Sequence, residues 1–249
     1  MNAIYIECPR GKRLVWYLAA EEYLAKHVQD ICNRWGKGNV DGLFISWKVS
    51  PTVIFGRHQV MANEVNISFC QENGIAMYRR KSGGGCVYAD TGNLMISYIS
   101  PNTHSEWVFQ FYLDEMSMLL RGMGYPAVKS THNDIMVNGS KVSGNACFSL
   151  STGTIVHGTM LYDVDFNMLQ SAITPSREKL AKHGVESVRQ RVCNLKEMSE
   201  SDECSTIDYF ERVIVESCCN EQYVLTATDL KEIDKIEQEY LDPDFIHSR

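Results

Sequence analysis

Apolar residues recur at Leu14, Tyr17, Leu18, Leu24, Val28 and Ile31. That spacing puts them on one side of a helix, so residues 12–34 are predicted to form an amphipathic helix. Short runs rich in β-branched and aromatic residues follow at 43–47, 52–55, 75–78 and 94–99, and each predicts a strand. Helical spacing returns over 106–121 through Val108, Phe111, Tyr112 and Leu119. Residues 134–137, then Asn138-Gly139, then 141–142 predict a β-hairpin closed by an Asn-Gly turn. Another strand is predicted at 154–162. Beyond residue 165 the pattern is mostly helical, with one stripe through Ile207, Phe210, Ile214 and Cys218 and another through Leu230, Ile233, Ile236 and Tyr240. The polar run 199–205 (SESDECS) is the candidate boundary.

Strands and helices do not alternate regularly. This argues for an α+β fold, with mixed or antiparallel sheets flanked by helices, and against a doubly wound parallel sheet. One domain is expected over 1–249, with a core to about residue 200 and a helical tail over 205–249 on the same body. The 249 residues are enough to bury a sizeable core. A composition of 44% apolar and 22% charged residues excludes a disordered, collagenous or disulfide-scaffold chain. No apolar run approaches the ~20 residues of a membrane span, and residues 1–13 contain no apolar signal segment.

The net charge of −7 counts against general nucleic-acid binding, which needs a basic face. Nine cysteines form no Cys-x-x-Cys pair, so zinc spacing is missing and reduced thiols in the cytoplasm are expected.

Three stretches carry candidate chemistry. The first is Arg79-Arg80-Lys81-Ser82-Gly83-Gly84-Gly85-Cys86-Val87-Tyr88. Glycines let backbone N–H groups approach an anion closely, and basic side chains beside them supply counter-charge. The stretch is neither a Walker A loop nor a dinucleotide fingerprint. A flexible glycine turn with a solvated basic flank is the alternative. The second is NDIMVNGSKVSGNA, residues 133–146. It places Lys141 between the hairpin and a second turn of small residues, and Asp134 where a carboxylate could hold a divalent cation. The third is Val156-His157-Gly158-Thr159-Met160-Leu161, a histidine in an apolar run.

Together the three resemble the lipoate–protein ligase family. Its pattern runs Arg-Arg-x-Ser-Gly-Gly-Gly-Ala-Val-x-His-Asp-x-Gly-Asn, then Asn-Asp-hydrophobic…Lys-hydrophobic-Ser-Gly-small-Ala, then His-His-Gly-Thr-Leu. This chain reads RRKSGGGCVYADTGN, NDIMVNGSKVSGNA and VHGTM. The likeness continues through HGVESVRQRVCNL, residues 183–195, and covers roughly residues 10–245.

The resemblance implies a fold related to biotin ligases and class II aminoacyl-tRNA synthetases. It also implies a two-step reaction. A lipoate or octanoate carboxylate attacks the α-phosphate of ATP with Mg²⁺, giving acyl-AMP and pyrophosphate. A lysine amine of an acceptor then takes the acyl group, the acceptor being a lipoyl domain of a 2-oxoacid dehydrogenase E2 or the glycine-cleavage H protein.

By motif, Arg80 and the backbone of Gly85, Cys86, Val87 and Tyr88 would contact nucleotide and acyl phosphate, while Ser82, Gly83 and Gly84 shape the loop. Lys141 would bridge acyl oxygen and α-phosphate as the catalytic residue. Asn133 and Asp134 would position phosphate and Mg²⁺, with Ser143 and Gly144 in the same binding motif. His157 and Gly158 would line the acyl pocket. The chain departs from the pattern at Cys86 (for Ala), Ala89 (for His) and Val156 (for the first His).

Many members carry an additional C-terminal domain linked to adenylation. The residues after Asn194 instead look like helices completing the catalytic body, so no accessory domain is expected. A separate accessory subunit, or transfer from preformed acyl-AMP, is then implied. A rival within the fold is a cysteine-dependent acyltransferase, for which Cys86 and Cys147 are the near candidates. A rival outside catalysis is a module that only binds lipoate or acyl-AMP. Neither nucleic acid nor membrane is expected as a partner.

Overall fold

The computed structural model describes residues 1–174, 191–198 and 206–247. The boundary expected at 199–205, and most of the motif at 183–195, lie outside the described residues. The fold is α+β with mixed sheets. Strands β1 (Ala3–Glu7), β2 (Gly42–Trp47), β6 (Asn93–Ser100), β7 (Ala127–Lys129), β8 (Asp134–Val137), β9 (Ser140–Leu150), β10 (Gly153–Leu161) and β11 (Cys219–Val224) form one sheet. Its order is β11-β1-β2-β6-β10-β9-β8-β7. A small sheet holds β4 (Ala76–Arg79), β3 (Thr52–Phe55) and β5 (Val87–Ala89), in the order β4-β3-β5.

Helices cover both faces of the large sheet, which is why its central strands carry nearly continuous apolar runs. Leu43, Ile45 and Trp47 of β2 meet α1 (Leu14–Trp35), whereas Phe44 faces α4 (Ser105–Gly122) and α6 (Ile207–Cys218). Short helices α2 (Met61–Glu64), α3 (Ile67–Glu72) and α5 (Phe166–Ala172) lie by the small sheet. Helices α7 (Ala227–Leu241) and α8 (Pro243–His247) close the described chain. Among the described residues no helix is long and apolar enough to cross a membrane.

Three expectations are corrected. The helix predicted as amphipathic buries every residue from Leu14 to Ala25, because α7 covers the side turned away from the sheet. The second small-residue turn is instead the middle of the eleven-residue strand β9. The tail is not wholly helical, since β11 lies within it and pairs in parallel with β1. The Asn-Gly hairpin is as predicted, with φ of 50° at Asn138 and 80° at Gly139, as a two-residue primed turn requires.

Helix α6 is tied to β2 by a buried carboxylate. Glu211 accepts from Ser46 Oγ at 2.7 Å and Lys48 Nζ at 2.9 Å, and pairs with Arg10 at 3.0 Å. Burial alone would raise its pKa, but the hydrogen bonds from Ser46, Lys48 and Arg10 bring it below the ordinary value of 4.5. A depressed carboxylate adds stability above its unfolded pKa and loses it as pH falls toward the folded one. Glu211→Gln is therefore expected to lower Tm at pH 7 by about 2–4 °C, a loss of ~1 kcal/mol in a chain of this size. The gap to wild type should narrow as pH drops below about 4.5. Thermal melts from pH 7 to 3 check this, and parallel curves would remove Glu211 from the acid limb.

Candidate active site at the triple-glycine loop

The loop between β4 and β5 is shaped by its own basic residues. Arg80 is 5% exposed. It donates to the Gly83 carbonyl from Nε at 3.1 Å and Nη2 at 2.6 Å, to the Gly85 carbonyl at 2.7 Å and to the Ile54 carbonyl at 3.3 Å. Burial pushes its guanidinium down to about 10. The N–H groups of Gly84 and Gly85 have no partner among the described residues. Both glycines line a cavity of about 400 Å³.

The other two basic residues face elsewhere. Arg79 donates to the carbonyls of Arg57, Gln59 and Ile246 at 2.7, 2.8 and 3.1 Å. Lys81 pairs with Glu22 of α1 and Glu239 of α7, both at 2.7 Å. The expectation that this triplet supplies counter-charge is thus corrected for Arg79 and Lys81, which brace the loop against α1, α7 and α8. Only Arg80 of the three reaches the cavity.

The opposite wall comes from the β8–β9 hairpin. Lys141 Nζ lies 2.7 Å from Asp134 Oδ1, and Arg191 is ion-paired to Asp134 Oδ2. The Lys141 backbone is held on both sides, its N–H donating to the Arg191 carbonyl at 2.8 Å and its carbonyl accepting from Cys193 at 3.1 Å. Gly144 makes room for the lysine, since a Cβ there would collide with Nζ. The Lys141 side chain is 21% exposed. Burial pushes its ammonium below the ordinary lysine value, the neighbouring Arg191 and Arg80 push the same way, and Asp134 opposes them. Around the cavity, Lys141, Arg191 and Arg80 face two carboxylates, Asp134 and Glu64.

Asn133 and Asn145 lock the start of β8 to β9. Asn133 Nδ2 donates to the Asn145 carbonyl at 2.7 Å, and Asn145 Nδ2 donates to the Asn133 carbonyl at 3.0 Å. Gly158 on β10 lies against this pair, for a Cβ there would overlap Asn145 Oδ1. His157 bonds Ser82 Oγ at 2.8 Å and Glu21 Oε2 at 2.7 Å. Leu18, Trp47, Ile54, Val87 and Met95 supply an apolar wall.

The structure therefore brings eleven of the expected residues to one cavity: Arg80, Gly84, Gly85, Cys86, Val87, Asn133, Asp134, Lys141, Gly144, His157 and Gly158. Four stand behind it. Ser82 is 2% exposed and bonds His157. Gly83 lends its carbonyl to Arg80. Tyr88 follows Val87 on β5 and so points to the other side, into the core with Val53 and Phe55. Ser143 is fully buried and donates to Asn145 Oδ1 at 3.4 Å. Val156 is buried in the α4 core, on the face of β10 opposite His157, so that departure from the pattern lies away from the cavity.

Sequence reasoning passed over Asn145, Arg191, Trp47 and Glu21. The first two stand inside motifs already quoted. Glu21 had a signal too, as a carboxylate within the buried run LVWYLAAEEYLA.

Residues 15–218 match the lipoyl protein ligase A/B catalytic domain. The chain belongs to that family. Among curated proteins, this lipoyl protein ligase A/B chain is 32% identical over 231 residues to lipoate-protein ligase LplJ of Bacillus subtilis. The match covers 89% of this chain and 66% of that protein, so the chain spans just under two thirds of the relative's length. Among solved structures it resembles the bi-partite lipoate protein ligase of Thermoplasma acidophilum, with a TM-score of 0.80 at 21% identity over 99% of this chain and 96% of that one. A lipoate-protein ligase A bound with ATP gives the same TM-score at 20% identity, over 98% of each chain. These two likenesses establish the fold.

Proposed function

We propose that this chain activates lipoate, or octanoate, with ATP to acyl-AMP, releasing pyrophosphate, and transfers the acyl group to a lysine of an acceptor lipoyl domain. One observation carries the reading: Lys141, Gly84 and Gly85 line a single cavity that also has an apolar wall, and the amides of the two glycines have no partner among the described residues. Adenylation must bring a carboxylate and a phosphate together, and fixed positive charge with oriented N–H donors is what that requires.

In this reading the acyl chain lies along Leu18, Trp47 and Met95, gaining roughly 0.8 kcal/mol per buried CH₂. Lys141 holds the carboxylate oxygen and the α-phosphate in contact. The loop amides take the negative charge of the phosphate. In the second step Lys141 polarises the acyl carbonyl toward the acceptor amine, and AMP leaves. The relative from Thermoplasma acidophilum was studied with its E2 lipoyl domain, which supports that class of acceptor. The glycine-cleavage H protein is the other candidate.

The donor set suits a Mg²⁺ ion that arrives on the nucleotide. No trio of His, Cys, Asp or Glu gathers among the described residues. Asp134 offers one buried carboxylate, which here is ion-paired to Lys141 and Arg191, and Mg²⁺ commonly takes one or two carboxylates plus phosphates and waters. When bound, the ion neutralises phosphate charge. Asp134→Asn is expected to raise the Mg²⁺ concentration giving half-maximal rate by about tenfold. An unchanged Mg²⁺ titration would remove Asp134 from the metal site.

A thioester route finds less support. Cys147 stands outside the cavity, and burial pushes its thiol up, whereas a nucleophilic cysteine needs the opposite shift. Cys86 lines the cavity as part of the loop wall. The deciding experiment incubates the pure chain with ATP, lipoate and an apo lipoyl domain and reads intact mass. A lipoylated acceptor is expected. If no mass is added with ATP and lipoate but it is added with lipoyl-AMP, the chain is a transferase only and the adenylation half of the reading falls.

A further inference from the structure

Behind His157 runs a chain of buried polar groups that the proposed reaction does not use. Ser97 Oγ donates to Glu21 Oε1 at 2.5 Å, and Trp47 Nε1 donates to Ser97 Oγ at 3.4 Å. Glu21 is 2% exposed and Ser97 is fully buried. Glu21 Oε2 and His157 Nδ1 stand 2.7 Å apart, and His157 Nε2 and Ser82 Oγ 2.8 Å, so the imidazole bridges the carboxylate and the hydroxyl. Three residues in the order Ser–His–Glu invite comparison with a hydrolytic triad, but Ser82 Oγ is buried and stands outside the cavity. It cannot reach a substrate as a nucleophile.

We propose that Glu21 is a positioning residue that acts through His157 on Ser82 and so fixes the triple-glycine loop for nucleotide. Ser82 is the joint of that loop: its carbonyl accepts from Arg57 N at 3.0 Å, and Arg80 beside it donates to the carbonyls of Gly83 and Gly85. Its side chain is held from the other side by β10 and α1. The same network ends on Trp47 in the apolar wall, so the acyl and nucleotide halves of the cavity share one rigid support. The inference deepens the proposed function and rests on it.

A residue that merely walls the acyl pocket would change the KM for lipoate alone. A residue that positions the loop must change the KM for ATP, although Glu21 does not line the cavity. Glu21→Leu is expected to raise the KM for ATP about tenfold, the size of one lost hydrogen bond to a charged group. Ser82→Ala should do the same with less risk to folding. The double variant should be no worse than the poorer single variant, because both cut one chain. Glu21→Gln, whose side-chain amide can still hydrogen-bond the His157 ring, should keep the KM for ATP within about threefold of wild type.

Amide exchange gives a readout independent of turnover. In Glu21→Leu it should quicken at Arg57 and across residues 80–89. Unchanged exchange there, with only the lipoate KM altered, overturns the inference while leaving the proposed function standing. If wild type turns over neither ATP nor lipoyl-AMP, the proposed function falls, and the exchange data still decide whether Glu21 holds the loop.

Discussion

Lys141→Ala is expected to cut lipoylation of an apo lipoyl domain by at least about 10²–10³-fold in kcat, the usual cost of removing one group aimed at developing charge. The figure is a lower bound, because here the lost group is a full cation rather than a neutral donor. The fold should survive. Asp134 keeps its pairing with Arg191, and its own N–H still donates to Ser130 Oγ at 3.1 Å. The strand bonds of position 141 to Arg191 and Cys193 use backbone atoms only. Intact-mass kinetics with circular dichroism of the same sample check both halves. Near-full turnover would mean that another group carries the charge and that Lys141 is structural.

Gly84→Ala is expected to lower ATP-dependent activity on the order of 10- to 100-fold, as small misplacements of reacting groups do. Gly84 sits at φ +91°, which an L-residue adopts at a cost of roughly 1–2 kcal/mol. A methyl group there would come within 2.8 Å of Arg80 Nη2. The guanidinium end can yield, but only by giving up the Gly83 and Gly85 carbonyls it holds at 2.6 and 2.7 Å. Those carbonyls would then be free to turn toward the cavity and repel an anion. Gly83 meets no atom within 4 Å of an added Cβ and needs no positive φ. Gly83→Ala is accordingly expected to lose far less. Equal losses at 83 and 84 in steady-state kinetics would show that general loop mobility matters, not the Arg80 clasp.

The local features of this chain could be read directly. The Asn138-Gly139 turn has a chemical cause within two residues, and α4 follows its own apolar spacing. Features set by distant partners could not. Strand β11 reads CNEQYV and is a strand because β1 lies beside it. The stretch 143–146 has turn-like composition, yet β10 pairs with Asn145 and Ala146 and keeps the chain extended. The basic triplet shows the same limit at the site. Sequence marks Arg79, Arg80 and Lys81 as three equivalent charges. The structure gives them three jobs, because the carbonyls and carboxylates they meet come from residues as far away as Glu239 and Ile246. The ordered motifs named the cavity's polar wall well, whereas the apolar wall came from helix and strand positions with no distinctive signature.

Strand β1 is flanked by β2 on one side and by β11 on the other. Strand β1 therefore acquires its second neighbour more than two hundred residues later in the chain. Contacts of such sequence separation slow folding. During synthesis the outer edge of Ala3–Glu7 stays unpaired until the ribosome has released Cys219–Val224, and an uncovered strand edge recruits other chains. A fragment ending at residue 218, where the family match stops, would keep every residue of the cavity and leave that edge open for good.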